Sequence, residues 1–283
     1  MASLDTFVKK SKYLVCVDSD GCAMDTMNCK HIHCFGPCMV DEWDLGEWRD
    51  AILERWNDIN LFEKTRGINR FKGLAMALSE IDKKYRSILG IGTLVHWCDT
   101  TKALSMGALS EAIESCDDKE GRVCLEKALA WSRAVNSAIN TLSDDLKIPF
   151  EGAREGLESC HAFADVAIVS SANREAVEEE WEKFDLLPHT DIVLTQDIGS
   201  KAFCISEMLK FGYDRSCVLM VGDAIGDLDA AKKNRVLYFP ILPGHEKDSW
   251  EELSRIALEK LQSGEYAGEY QEKKINEFMN NFK

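Results

Sequence analysis

The chain has 283 residues, 45% of them hydrophobic, with a formal charge of −15 at pH 7. That is enough apolar material for one large domain or two ordinary ones, each with a real core. The acidic balance makes nucleic acid or an anionic membrane surface an unfavourable partner, since both need clustered Lys/Arg, and neither is expected.

At the amino terminus, Met1-Ala2-Ser3-Leu4-Asp5-Thr6 lacks the basic-then-apolar layout of a signal peptide. No stretch approaches the ~20 consecutive apolar residues of a membrane span, and a cytoplasmic location is the expectation. Residues 13–17 then read as a buried strand, and it ends abruptly in Asp18, Asp20 and Asp25. Continuous Val/Ile/Leu runs belong to fully buried strands, so acids appear where such a strand leaves the core, and something must neutralise them there.

From residue 26 to about 148 no strand-like run appears, which is far longer than an ordinary strand-to-helix connection. The segments 42–59, 71–85, 100–115 and 120–142 carry apolar residues near i, i+3/i+4 spacing and predict helices of a separate domain. Trp43, Trp48 and Trp56 fall at helical spacing and read as core. Near the start of this insertion, Cys29, His31, His33, Cys34 and Cys38 offer zinc-ligand chemistry without the paired C-x₂-C spacing of structural sites, so a polar linker with partly buried thiols is the competing reading. The eleven cysteines are odd in number and scattered, as reduced thiols would be. The basic segment 64–73 includes Arg66, Asn69 and Arg70. It reads either as a solvated helix connection or as a reader of an anionic substrate group, to which an Arg fork is suited.

Pro149 marks the return to strand-and-helix alternation. Runs at 166–170, 192–195, 217–221 and 236–241, separated by helix-like segments, argue for a parallel sheet flanked by helices, with ligands at the carboxyl ends of the strands. The functional residues should therefore follow the runs. After the second run come Ser170 and Ser171, where a hydroxyl and backbone N–H groups can hold an anion. Lys201 follows the third run ahead of a predicted helix over 202–211. The fourth run ends in Asp223 and Asp227, repeating the first, so two acidic strand ends can converge on one cation-sized volume; hard oxygen ligands are what Mg²⁺ prefers. Asp25 and Asp229 lie farther into the following turns and read as solvated or capping residues. In the tail, Ser249 three residues before Glu252 predicts a helix start reaching about residue 260, followed by a polar segment after Gly264 and Gly268.

Acids, hydroxyl, lysine and acids at successive strand ends are the pattern in which this chain resembles the haloacid dehalogenase-like superfamily of hydrolases. Motif one is Asp18-Ser19-Asp20-Gly21, motif two Ser170, motif three Lys201, and motif four Gly222-Asp223-Ala224-Ile225-Gly226-Asp227. The match covers roughly residues 10–25 and 149–245, with Cys22 departing from the Thr that most members carry. The resemblance implies an α/β, Rossmann-like core domain of residues 1–25 and 149–283, with an all-α cap of residues 26–148 inserted between motifs one and two.

It further implies phosphoryl transfer through an aspartyl-phosphate. Asp18 would be the nucleophile and Asp20 the general acid and base. Mg²⁺ would be held by Asp18, the Asp20 carbonyl and Asp223, with Asp227 acting through water. Lys201 and Ser170 would hold the phosphoryl oxygens, joined on the substrate by Ser171 and by Arg66, Asn69 and Arg70 of the cap. Asp20 favours a phosphatase over dehalogenase and phosphonatase chemistry, and a small phosphorylated metabolite is the expected substrate. A phosphomutase, or a metabolite-binding protein that keeps the fold without catalysis, are the alternatives.

Overall fold

A computed structural model describes residues 3–283. The chain divides into two compact units: Asn28–Ser143 forms one, and Asp144–Lys283 forms the other together with the segment before Asn28. Residues 144–148 stay with the sheet because Asp144 pairs with Lys183 at 2.9 Å and Ile148 O accepts the Asp25 amide at 2.8 Å. A Met24–Pro149 bridge ties the outgoing and returning chain together beside them.

Five parallel strands make the sheet: β1 (Tyr13–Val17), β2 (Ala164–Val169), β3 (Ile192–Leu194), β4 (Val218–Gly222) and β5 (Leu237–Pro240), in the order β3-β2-β1-β4-β5. Every strand residue except Tyr13 is buried, which is why these strands read as uninterrupted apolar runs. Alternate residues feed two cores. Val15, Val17, Val166, Ile168, Leu219 and Val221 face one that includes Trp181 and Trp250, while Leu14, Cys16, Ala167 and Met220 face one that includes Tyr238 and Phe278. Each fully buried aliphatic side chain stabilises by roughly 1.5–3 kcal/mol. The order reverses beside β1, the central strand, so the crevice at its carboxyl end is where such a sheet takes a ligand.

The helical unit is built around Trp56, Trp97, Trp131 and Phe71, packed edge to face. Trp43 belongs to the same core and Trp48 packs at its margin. Asn69, Ser105 and Asp118 cap its helices Arg70–Lys84, Met106–Glu114 and Lys119–Asn140 by accepting the first-turn amides.

Three of the helices expected from the sequence, two from periodicity and one from a helix-start signal, run differently. The stretch expected as one helix over 42–59 contains the end of Gly36–Glu42, a reversal at Asp44 with φ 51°, a short 3-10 turn and then Arg49–Asn57. The span 100–115 is likewise two elements, because Ile91–Thr100 ends at Thr100 and Ser105 starts the next helix. In the tail, helix begins at Glu246. Ser249 lies inside it, its hydroxyl donating to His245 O at 2.8 Å and accepting from Leu242 N at 3.0 Å. The last polar segment is itself a helix, Glu269–Asn281, which buries Lys274 and Phe278.

Candidate active site

The loop after β1 is a tight turn organised on Ser19, whose carbonyl accepts the amides of Cys22, Ala23 and Met24 at 3.2, 3.0 and 2.9 Å. Gly21 closes it at φ 84°, a left-handed conformation that glycine adopts without a Cβ clash, and its amide meets Met24 O at 2.8 Å. Asp18, at the head of the turn, is 4% exposed and its amide donates to Val221 O at 3.0 Å, which locks the end of β1 to β4. Asp20 is half-buried and accepts a hydrogen bond from Thr26 Oγ1.

At the end of β4, Asp223 and Asp227 are fully buried. Asp227 folds back over Gly222, where a Cβ would lie 2.3 Å from the Asp227 carboxyl carbon, so only glycine leaves room. One Asp227 oxygen accepts the Ala224 amide at 3.1 Å and the other meets Lys201 Nζ at 2.6 Å. Lys201 opens the helix Lys201–Leu209, whose first turn is capped by Ser200, and its ammonium also lies 2.7 Å from Asp18 Oδ2. A cation at a helix amino terminus opposes the dipole, and the two carboxylates offset that cost.

Carboxylate oxygens of Asp18, Asp223 and Asp227 all lie within 4.8 Å of one another, the one group among the described residues able to hold a metal ion. Three buried hard-oxygen donors from two neighbouring strand ends suit a small divalent cation such as Mg²⁺. The charge state agrees. Burial pushes the Asp18 carboxyl well above its usual range, Lys201 pulls it back, and Asp227 and Asp223 push it up again. Burial alone would lower the Lys201 ammonium, but Asp18 and Asp227 outweigh it, so Lys201 remains charged. A further positive charge would favour ionised Asp18. Cys22, raised by burial and then by Asp223 and Asp18, stays a thiol directed at Val221 O, 3.7 Å away.

Ser170 follows β2 beside this cluster and is buried, while Ser171 is exposed. The Ser170 amide donates to Leu194 O at 3.0 Å, and its Oγ accepts the Ala172 amide at 3.2 Å. The turn therefore uses an amide that the sequence pattern leaves free for an anion, because a short hydroxyl side chain closes on its own backbone. Asp25 is half-buried and Asp229 exposed, and neither belongs to the acidic group.

Within the helical unit, the three residues expected to read substrate have structural partners. Arg66 is 2% exposed and donates to Leu61 O at 3.0 Å; Asn69 caps Arg70–Lys84. Arg70 donates to Asn136 Oδ1 at 2.7 Å and Ser132 Oγ at 3.3 Å, over the Phe35 ring. Cys29, His31, His33, Cys34 and Cys38 do not form a metal-holding group among the described residues, since they are spread along helix and the His31 ring stacks on Phe35.

Sequence patterns do not disclose the residues that grip the two loops from inside the sheet unit. Trp250 Nε1 donates to Cys22 O at 3.0 Å, Tyr238 OH to Gly222 O at 2.9 Å, Trp181 Nε1 to Ser19 Oγ at 2.8 Å, and Thr26 holds Asp20. Their apolar bodies fit an ordinary core pattern, and no local spacing shows where a buried donor points. Gly156 is a faint signal, because any side chain there would strike the Trp250 ring at 2.2 Å.

The sequence profile described as haloacid dehalogenase-like hydrolase matches residues 96–239, slightly over half of the chain, from within the helical unit to β5 and not including Asp18 or Asp20. Among curated proteins no relative matches. Among solved structures, a predicted phosphatase from Clostridium acetobutylicum is 13% identical with a TM-score of 0.50, over 87% of this chain and 99% of its own. A haloacid dehalogenase-like family hydrolase from Streptococcus pneumoniae is 11% identical with a TM-score of 0.48, over 89% and 97%.

Proposed function

This chain belongs to the haloacid dehalogenase-like hydrolases, and from that premise we propose that it hydrolyses the phosphate monoester of a small metabolite, with Mg²⁺ and through an aspartyl-phosphate on Asp18. The observation that carries the reading is Asp18 itself: a buried carboxylate at the end of the central strand, 2.7 Å from Lys201 and within 4.8 Å of Asp223 and Asp227.

Asp18 would attack phosphorus and expel the alcohol, so that one hard displacement becomes two easier ones. Asp20, with Thr26 fixing one oxygen, would give a proton to the leaving oxygen and later take one from the attacking water. Lys201 would neutralise charge on the transferred group, released in part from Asp18 as that carboxylate becomes an acyl phosphate. Ser170 would hold a second phosphoryl oxygen through its hydroxyl. Asp18, Asp223 and the Asp20 carbonyl would hold the cation. Asp227, with both oxygens engaged by Lys201 and Ala224, would act on it through water. Bound Mg²⁺ would supply the positive charge that lets an anionic nucleophile approach an anionic phosphate.

The helical unit, inserted between β1 and β2, would be the cap that selects substrate and excludes bulk water. Nucleic acid and membrane surfaces remain outside the proposal on the charge argument, and free thiols support a cytoplasmic setting. Among the described residues, no helix is long and apolar enough to cross a membrane.

The test is phosphate release across sugar, nucleotide and organic-acid phosphates with Mg²⁺, run beside Asp18→Asn. Release by the wild type alone supports the proposal. Equal release by the variant removes Asp18 as nucleophile, and an isomerised phosphate ester instead of free phosphate marks a mutase.

A further inference from the structure

The two carboxyl groups given the chemical work flank Ser19, and Ser19 is held from both ends. Its carbonyl receives three amides of the turn, and its side-chain oxygen receives the indole N–H of Trp181 at 2.8 Å. Both residues are fully buried. An indole can only donate, so the direction of this bond is fixed and Ser19 Oγ is the acceptor. Trp181 projects from the helix Arg174–Lys183 that follows β2, into the core that includes Val17 and Ile168. A large planar ring in a close-packed core has little freedom, so its N–H is a fixed point from which the turn is referenced.

We propose that Trp181, acting through Ser19, is a positioning residue of the phosphoryl-transfer site. Its indole fixes the peptide units that join Asp18 to Asp20 and thereby the separation and aim of the two carboxyl groups. The proposal rests on the roles assigned to Asp18 and Asp20 above. Trp250 and Tyr238 hold the neighbouring carbonyls of Cys22 and Gly222, but a backbone acceptor cannot be removed by substitution. The Trp181–Ser19 bond joins two side chains, and both ends can be cut separately.

The experiment compares Ser19→Ala, Trp181→Phe, the double variant and Asp18→Asn in the full chain, with Mg²⁺ and p-nitrophenyl phosphate, reading kcat and KM on protein shown to be folded by thermal melting. Misplacing a reacting group by a fraction of an ångström should lower kcat about tenfold in each single variant, with KM changed less than about twofold. The double variant should be no slower than the slower single, because both substitutions cut one bond. Ser19→Ala removes a single oxygen atom and decides the outcome if Trp181→Phe does not fold. Wild-type kcat in Ser19→Ala, or losses that multiply in the double variant, overturn the proposal while Asp18-dependent turnover stands. Turnover that survives Asp18→Asn overturns the catalytic reading and this proposal with it.

Discussion

The acidic strand ends and the basic segment 64–73 are both dense in charge, yet they carry it differently. In the helical unit the arginines are engaged locally: Arg66 on Leu61 O, Arg70 on Asn136 and Ser132, and nearby Arg55 between Glu63 and Glu80. At the strand ends, Asp18 is driven upward even though Lys201 lies 2.7 Å away, because burial and two further carboxylates outweigh it. Charge density in the sequence does not distinguish these cases. A buried like-charge group that its own lysine leaves under strain does, since like charges are kept close where a ligand completes the set.

The largest effect is expected at Asp18. Asp18→Asn should lower kcat for phosphate release by roughly 10³-fold or more, with the fold intact by circular dichroism, because the proposed nucleophile is lost. Next in size is Lys201→Met, expected to cost about 10²–10³-fold in kcat as a positioned charge is lost from the transferred phosphoryl group.

Cation binding sharpens the same contrast through pH. Because the folded Asp18 carboxyl is raised, it keeps its proton to higher pH than a free carboxylate, and Mg²⁺ must displace that proton. Calorimetry should therefore show Mg²⁺ affinity weakening as pH falls, with proton release on binding growing in the same direction. Affinity independent of pH would remove Asp18 from the cation's ligands.

Arg70→Ala should act on the other side of the comparison. It should lower stability by about 1–2 kcal/mol in urea unfolding, by taking the donor from Asn136, with kcat/KM changed less than about threefold. A large rise in KM would instead place Arg70 against the substrate. The smallest effect concerns the thiols. Nine of eleven cysteines are buried, and burial pushes Cys98 and Cys160 up to about 12, so at pH 8 alkylation of native protein should be confined to Cys38 and Cys116, while denatured protein reacts throughout.

The sheet unit was legible because parallel strands are buried on both faces and end where function begins. The runs at 13–17 and 192–195 fall on β1 and β3 to within one residue; Asp18, Ser170 and Asp223 follow strand ends directly, while Lys201 and Asp227 sit in the helices after β3 and β4. The helical unit was less so. Asp44 in a left-handed turn and Ser105 as a cap cut periodic stretches that look continuous, since periodicity registers a buried stripe and not the turn that interrupts it. The grip of Trp181, Trp250 and Tyr238 on the active loops lay beyond sequence altogether. Each is an ordinary core residue until the fold decides which way its one polar atom points.

The central claim is a phosphoryl group carried on Asp18. Mass spectrometry of the full chain, quenched in acid during turnover of p-nitrophenyl phosphate with Mg²⁺ and digested, reads it directly. One added phosphoryl group is expected on the peptide containing Asp18, absent without Mg²⁺ and absent in Asp18→Asn. Steady phosphate release with that peptide unmodified, or with the label on another residue, would contradict it.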